Sequence, residues 1–126
     1  MSVDHCILID VVDHIATVAI NRPAAMNALN RQAYDELEKA VRDLQKNPDV
    51  RCIILTGAGD RAFCAGDDIK EVMLDIGSGG DSGSHLLDVR PGTTPAAKAI
   101  LDCDRPIIAA VNGVALGWGM DLSLLA

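Results

Sequence analysis

Two glycine-hinged segments of this chain could bind an anion through the main chain. The first is Ala62-Phe63-Cys64-Ala65-Gly66-Asp67-Asp68-Ile69-Lys70. The second is Pro106-Ile107-Ile108-Ala109-Ala110-Val111-Asn112-Gly113-Val114-Ala115-Leu116-Gly117-Trp118-Gly119-Met120-Asp121. Each runs from an apolar, strand-like stretch through a Gly turn into a helix-like stretch. The first N–H groups of a helix have no intrahelical acceptor, so such turns present free donors where negative charge is stabilised. Two such donors aimed at one point make an oxyanion hole. The chemistry then depends on backbone geometry more than on any side chain. The alternative reading is of two plain Gly turns, with Asp67 and Asp68 capping a helix.

No other constellation competes. His5 and His14 flank strand-like runs and His85 lies in a Gly/Ser-rich stretch, with no Ser-His-Asp or Cys-His pairing at recognisable spacing. Cys64 precedes the first loop, but no neighbour in the sequence would lower its pKa, so no nucleophile is assigned. Gly57-Ala58-Gly59 follows a strand-like run yet lacks the full dinucleotide fingerprint and its helix. The four cysteines, Cys6, Cys52, Cys64 and Cys103, are far apart with no Cys-x-x-Cys pair, which suggests neither zinc nor a disulfide framework. No metal site is indicated.

The elements that must position the loops follow from patterning. Cys6 to Val12 and Ile15 to Ile20, β-branched-rich and separated by Asp13-His14, predict a hairpin. Asn21-Arg22-Pro23 breaks the second strand, since Pro23 has no N–H for a ladder. Asn30 is placed as an N-cap for a helix from Arg31 to Lys46, with Ala33, Leu37, Ala40, Val41 and Leu44 on one face. Asn47-Pro48 stops it. Cys52 to Thr56 reads as a strand, Asp68 to Ile76 as a short helix, and Gly77 to Gly92 as a mobile loop. Thr94 to Leu101 is helical, Ile107 to Val111 a strand, and Trp118 to Ala126 a helix. The order β-β-α-β-α-α-β-α predicts parallel pairing with crossovers. Periodicity alone also allows a flavodoxin-like sheet.

Composition limits the partners. A chain of 126 residues, 49% apolar, suits one domain and an aliphatic core, because Tyr34, Phe63 and Trp118 are its only aromatics. Scarce aromatics and a net charge of −7 argue against nucleic acid. No apolar run reaches membrane-spanning length and the N-terminus lacks signal-peptide character, so a reduced, cytoplasmic location is expected.

The two loops, with Asn21-Arg22-Pro23-Ala24-Ala25-Met26-Asn27-Ala28-Leu29 before them, resemble the crotonase (enoyl-CoA hydratase/isomerase) superfamily in motif, order and spacing. The resemblance covers nearly the whole chain, while family members are roughly twice as long. It implies an α/β fold, a crotonase-like spiral of ββα repeats truncated before the C-terminal helical region, so that residues 1–126 form an incomplete N-terminal part of the domain. It implies hydration of 2-enoyl-CoA thioesters through a stabilised enolate. Motif matching puts the donors at Asp67 and Trp118, and makes Asp121, one turn beyond Trp118, the counterpart of a catalytic Glu. Asp is one methylene shorter, roughly 1.5 Å less reach; a helix-dipole role is the alternative for it. Ala24, Met26, Ala28, Ala65, Asp68 and Ile69 are implied to line the CoA groove, Met26 and Ile69 reading equally as core. Arg22, Arg31 and Lys70 could meet phosphates.

No cofactor is implied, since CoA enters as part of the substrate. The partners implied are the acyl-CoA and either a homo-oligomer (trimer or hexamer) or a complementary C-terminal half. An isomerase or thioesterase of the same family, or a catalytically incomplete acyl-CoA-binding or assembly fragment, is the alternative.

Overall fold

The computed structural model describes residues 4–71 and 94–126. Strands β1 (Ile7–Val12) and β2 (Ile15–Ile20) form the expected hairpin, antiparallel from Ile7 opposite Ile20 to Val12 opposite Ile15. Asp13 and His14 at its turn both have positive φ, 50° and 68°. A two-residue turn of that kind matches the right-handed twist of the strands it joins.

A 3-10 turn at Pro23–Ala25 leads to α1 (Arg31–Lys46), whose bounds coincide with the sequence reading. The Asn30 side chain accepts from the Ala33 N–H at 2.8 Å, closing the helix N-terminus as predicted. Ala33, Leu37, Ala40, Val41 and Leu44 are buried. Each of the larger ones contributes about 1.5–3 kcal/mol by leaving water. The helix is the crossover that brings β3 (Cys52–Gly57) parallel to β2.

Beyond β3 the structure differs from the expected order by two short strands, β4 (Ala62–Cys64) and β6 (Val114–Ala115). Between them in sequence lie α2 (Pro95–Asp102), with Thr94 as its N-cap rather than its first residue, and β5 (Ile107–Ala109). The last element is α3 (Trp118–Leu125). Strands of two and three residues carry no period, and β4 is buried at every position, so no alternation marks it. The large sheet has the order β1-β2-β3-β5, and β4 and β6 pair parallel as a second sheet.

These two strands make the architecture intelligible. In β3-β4 and again in β5-β6, the first strand joins the large sheet and the second the small one. Helical backbone follows each pair, at residues 69–71 and in α3. The chain is thus an α/β spiral of ββα turns. The remainder of the helix expected over Asp68 to Ile76, the stretch Gly77 to Gly92 and His85 lie outside the described residues.

The core between sheets and helices is aliphatic apart from Phe63: Val18, Ile20, Leu29, Leu37, Ile53, Leu55 and Leu122 are fully or almost fully buried. Among the described residues no helix is long and apolar enough to cross a membrane.

Candidate active site

The two Gly loops occupy equivalent places in successive turns of the spiral, each just after a strand of the small sheet. Because β4 and β6 are neighbours and parallel, their C-terminal ends lie side by side and the loops meet. The Leu116 N–H donates to the Cys64 carbonyl at 3.1 Å. Gly66, at φ +96°, lies so close to the second loop that an added Cβ would sit 2.9 Å from the Leu116 carbonyl oxygen and 3.4 Å from the Trp118 nitrogen. At Gly119 a Cβ would fall 2.0 Å from the Cys64 carbonyl oxygen. Only residues without a side chain allow this approach.

Among the described residues neither the Asp67 nor the Trp118 N–H has an acceptor. For Asp67 the cause is an isolated parallel bridge to Leu29. The bonds of that bridge run from the Leu29 N–H to the Gly66 carbonyl (2.7 Å) and from the Asp68 N–H to the Leu29 carbonyl (3.0 Å), bypassing the Asp67 N–H. For Trp118 the cause is its place as the first residue of α3, after Gly117, which supplies no side-chain cap. Two free donors on touching loops can hold one anionic oxygen.

The first loop is held from outside itself. Asn27, fully buried with φ 56°, accepts from the Arg22 N–H at 2.9 Å and donates to the Ala58 and Ala62 carbonyls at 3.0 and 2.8 Å. Asn112 binds the same turn from the other side: it accepts from the Gly57 N–H at 3.0 Å and donates to the Gly57 and Gly59 carbonyls at 2.8 and 3.0 Å. These two amides tie together the turn after β2, the β3–β4 turn and the β5–β6 connection.

Arg22 Nη1 reaches the Ala28 carbonyl at 2.6 Å and the Asp68 carboxylate at 2.9 Å. Asp68 also caps the following helical turn, accepting from the N–H groups of Lys70 and Glu71. Burial by itself raises the Asp68 pKa, but the Arg22 bond and charge and the two N–H donors outweigh it and hold the carboxyl below its ordinary value. Arg22, one of the cations expected for CoA phosphates, is thus engaged within the chain, whereas Arg31 and Lys70 are exposed.

The side chains of the two donor residues converge on one aromatic. Tyr34 of α1 donates its hydroxyl to the Asp67 carboxylate, and its ring meets the Trp118 indole edge to face, with centroids 5.0 Å apart and planes at 76°. Burial first, then the Asp67 hydrogen bond and charge, raise the Tyr34 pKa far above the ordinary phenol value. Cys64 lies beneath the first loop. Burial pushes its thiol up to about 11 despite a 3.4 Å hydrogen bond from the Gly66 N–H, so it remains protonated and is no nucleophile. Asp121 is exposed one turn into α3, and its charge acts on the same Tyr34 hydroxyl.

The residues expected to line a CoA groove fall on two segments that run together: the Ala65 N–H donates to the Met26 carbonyl at 3.1 Å. Ala28 is buried, Met26 and Ala65 are half-buried, and Ala24 is exposed. Ile69 is 69% exposed, so its alternative reading as core does not hold. A small pocket lined in part by Pro23, Asn27, Gly59 and Arg61 opens beside these segments.

Sequence reasoning gave no role to Asn27, Asn112 or Tyr34. Both asparagines stand in the quoted motifs, and a polar residue amid small apolar ones was a signal that a buried amide closes a junction. For Tyr34 the signal was scarcity: it and Trp118 are two of only three aromatics.

The enoyl-CoA hydratase/isomerase family model matches residues 11–126. The chain is 39% identical over 109 residues to the peroxisomal Δ(3,5)-Δ(2,4)-dienoyl-CoA isomerase of Arabidopsis thaliana, covering 82% of this chain and 39% of that protein. It is 35% identical over 124 residues to the (E)-benzylidenesuccinyl-CoA hydratase of Thauera aromatica, covering 94% and 43%. The crystal structure of an enoyl-CoA hydratase from Bacillus anthracis superposes with a TM-score of 0.81 at 32% identity, over 96% of this chain and 45% of that one. The chain therefore spans less than half the length of these relatives.

Proposed function

This chain belongs to the enoyl-CoA hydratase/isomerase family, and on that premise we propose that the full-length protein hydrates 2-enoyl-CoA thioesters. The observation that carries the reading is the pair of N–H groups, of Asp67 and Trp118, that have no acceptor among the described residues and lie on two loops in contact through Gly66. They receive the thioester oxygen, where charge collects as water attacks. Each contributes about 3 kcal/mol of barrier lowering.

Asp121 takes a proton from the attacking water as its oxygen bonds to C3. The C2–C3 π electrons move toward the thioester oxygen, and the enolate then collapses as a second carboxyl group, in its acid form, gives its proton to C2. The family's second carboxylate belongs to the part of its length that this chain does not span. The segments carrying Ala24, Met26 and Ala28, and Ala65, Asp68 and Ile69, hold the CoA portion largely through backbone groups. No separate cofactor takes part, and the protein works as a homo-oligomer in the cytoplasm.

A second reading, double-bond isomerisation, is favoured by the isomerase among the relatives. It uses the same hole, with a base shuttling one proton between carbons. Incubating the full-length protein with crotonyl-CoA in deuterated water separates the two. Hydration consumes the enoyl absorbance and yields a 3-hydroxyacyl thioester. Isomerisation instead leaves a deuterated enoyl product. Absence of both activities, with no acyl-CoA binding, would overturn the proposal.

A further inference from the structure

We propose that Tyr34 is a positioning residue that holds the Asp67 carboxylate and the Trp118 indole clear of the point where the two Gly loops meet. The inference rests on the oxyanion-hole reading above and deepens it.

Asp67 is an awkward residue to follow Gly66. Its N–H is offered to a developing oxyanion, yet its own side chain carries a negative charge on the same residue, and opposed charges of one sign at that range raise the barrier. The position is exposed. Its one side-chain hydrogen bond among the described residues comes from the Tyr34 hydroxyl. Tyr34 is fixed in turn, since its N–H donates to the Asn30 carbonyl at 3.0 Å within the capped first turn of α1. A rigid helix thus reaches across to a loop and directs the carboxylate toward α1.

The same ring sets the second side chain. Its edge-to-face contact with Trp118, at 5.0 Å between centroids, restrains the indole next to the other donor. Such a contact prefers one geometry, and gains about 0.5–1.5 kcal/mol beyond area burial. One residue therefore touches the side chains of both donor residues, although they come from different turns of the spiral. The two halves of the hole are joined through Tyr34 as well as through Gly66.

The test uses the full-length protein with crotonyl-CoA as probe, comparing wild type, Tyr34→Phe and the double variant Tyr34→Phe/Asp67→Asn. Tyr34→Phe keeps the ring contact and removes the hydroxyl. It should lower kcat about tenfold with little change in KM, because only the charged state is affected. Removing the charge in the double variant should restore most of that loss, which a merely structural defect would not allow. In a full-length background in which Trp118, the sole Trp of these 126 residues, is kept as the only Trp, its emission gives an independent readout: it should stay in place in Tyr34→Phe and shift to the red in Tyr34→Leu.

Wild-type turnover in Tyr34→Phe, or a double variant no better than the single one, overturns the positioning role and leaves the proposed function standing. Wild-type protein that neither binds nor turns over any acyl-CoA overturns both.

Discussion

The loop after β4 and the loop after β6 do the same backbone task by different means. The first is gripped by side chains from elsewhere: Asn27 and Asn112 on the turn before it, Arg22 on Asp68, Tyr34 on Asp67. The second has no side-chain cap and, apart from the Tyr34 ring against the Trp118 indole, is anchored by main-chain contact with the first, through Cys64 and Gly66. Its surroundings differ too, for Leu116, Met120 and Leu124 around it are all more than half exposed in this chain. One loop is therefore a template and the other is docked on it. Disturbing the template should cost both donors, and disturbing the docked loop should cost one.

The harshest way to break this relation is Gly66→Val. A β-branched side chain at φ +96° is strained, and its Cβ meets the Leu116 carbonyl and the Trp118 nitrogen. The loops must part, so both donors lose their common target. We expect turnover to fall by at least about a thousandfold, with most of the fold retained. Steady-state kinetics beside circular dichroism would check it, and unchanged kinetics would remove the loop from the active site.

Next in size is Asn27→Ala. It leaves the Arg22 N–H and the Ala58 and Ala62 carbonyls each short of a partner, the first two in partly buried places and the last in a buried one. Stability should drop by about 3 kcal/mol, measured by urea unfolding. If the first loop is the template, activity should also fall at temperatures where the variant is still folded. A variant that loses stability but keeps wild-type kcat would limit Asn27 to the core.

These two residues also mark where the sequence was legible and where it was not. The hairpin, the N-cap and buried face of α1, and the parallel neighbour β3 were readable because each has a strong local signal: β-branched runs, a capping Asn, a 3.6-residue period. The Gly loops were readable because the needed backbone shape restricts residue type. The small sheet was not, because β4 and β6 are too short to show a period and owe their pairing to each other. Without it the sequence offered no geometric reason for the loops to meet. Tyr34 was marked only by the scarcity of aromatics, for a related cause: its two contacts come from residues distant in the chain, and nothing local distinguishes it from a core aromatic.

A milder probe separates side-chain chemistry from backbone chemistry. Asp121→Asn keeps the shape of α3 and both donors while removing a carboxylate one turn from Trp118. If Asp121 moves the water proton, kcat should fall about a hundredfold with KM little changed. A wild-type kcat would assign Asp121 to the helix dipole, and the docked loop would then contribute its N–H alone.

The smallest effect concerns the salt bridge that ties the template to the turn after β2. The Asp68 pKa is depressed in the folded chain, so this group adds stability above the unfolded carboxyl pKa, and the addition is lost as pH falls through the folded value. Replacing Arg22 by Met removes both the charge and the bond to the Ala28 carbonyl. At neutral pH the variant should be less stable by about 1 kcal/mol, given that the pair is only partly buried. On acidification into the carboxylate range the gap should narrow, because protonated Asp68 has no ion pair to lose. Glu36, whose pKa is also lowered against the raising effect of burial, by bonds from Gln32 and from the N–H groups of Ile7 and Cys6, destabilises both proteins equally in acid and cancels in the difference. Paired urea titrations at neutral and acidic pH measure that difference directly. A gap that stays constant with pH would mean that Arg22 holds the first loop through the Ala28 carbonyl rather than through Asp68, and would move the electrostatic part of the template from Asp68 to Asp67 and Tyr34 alone.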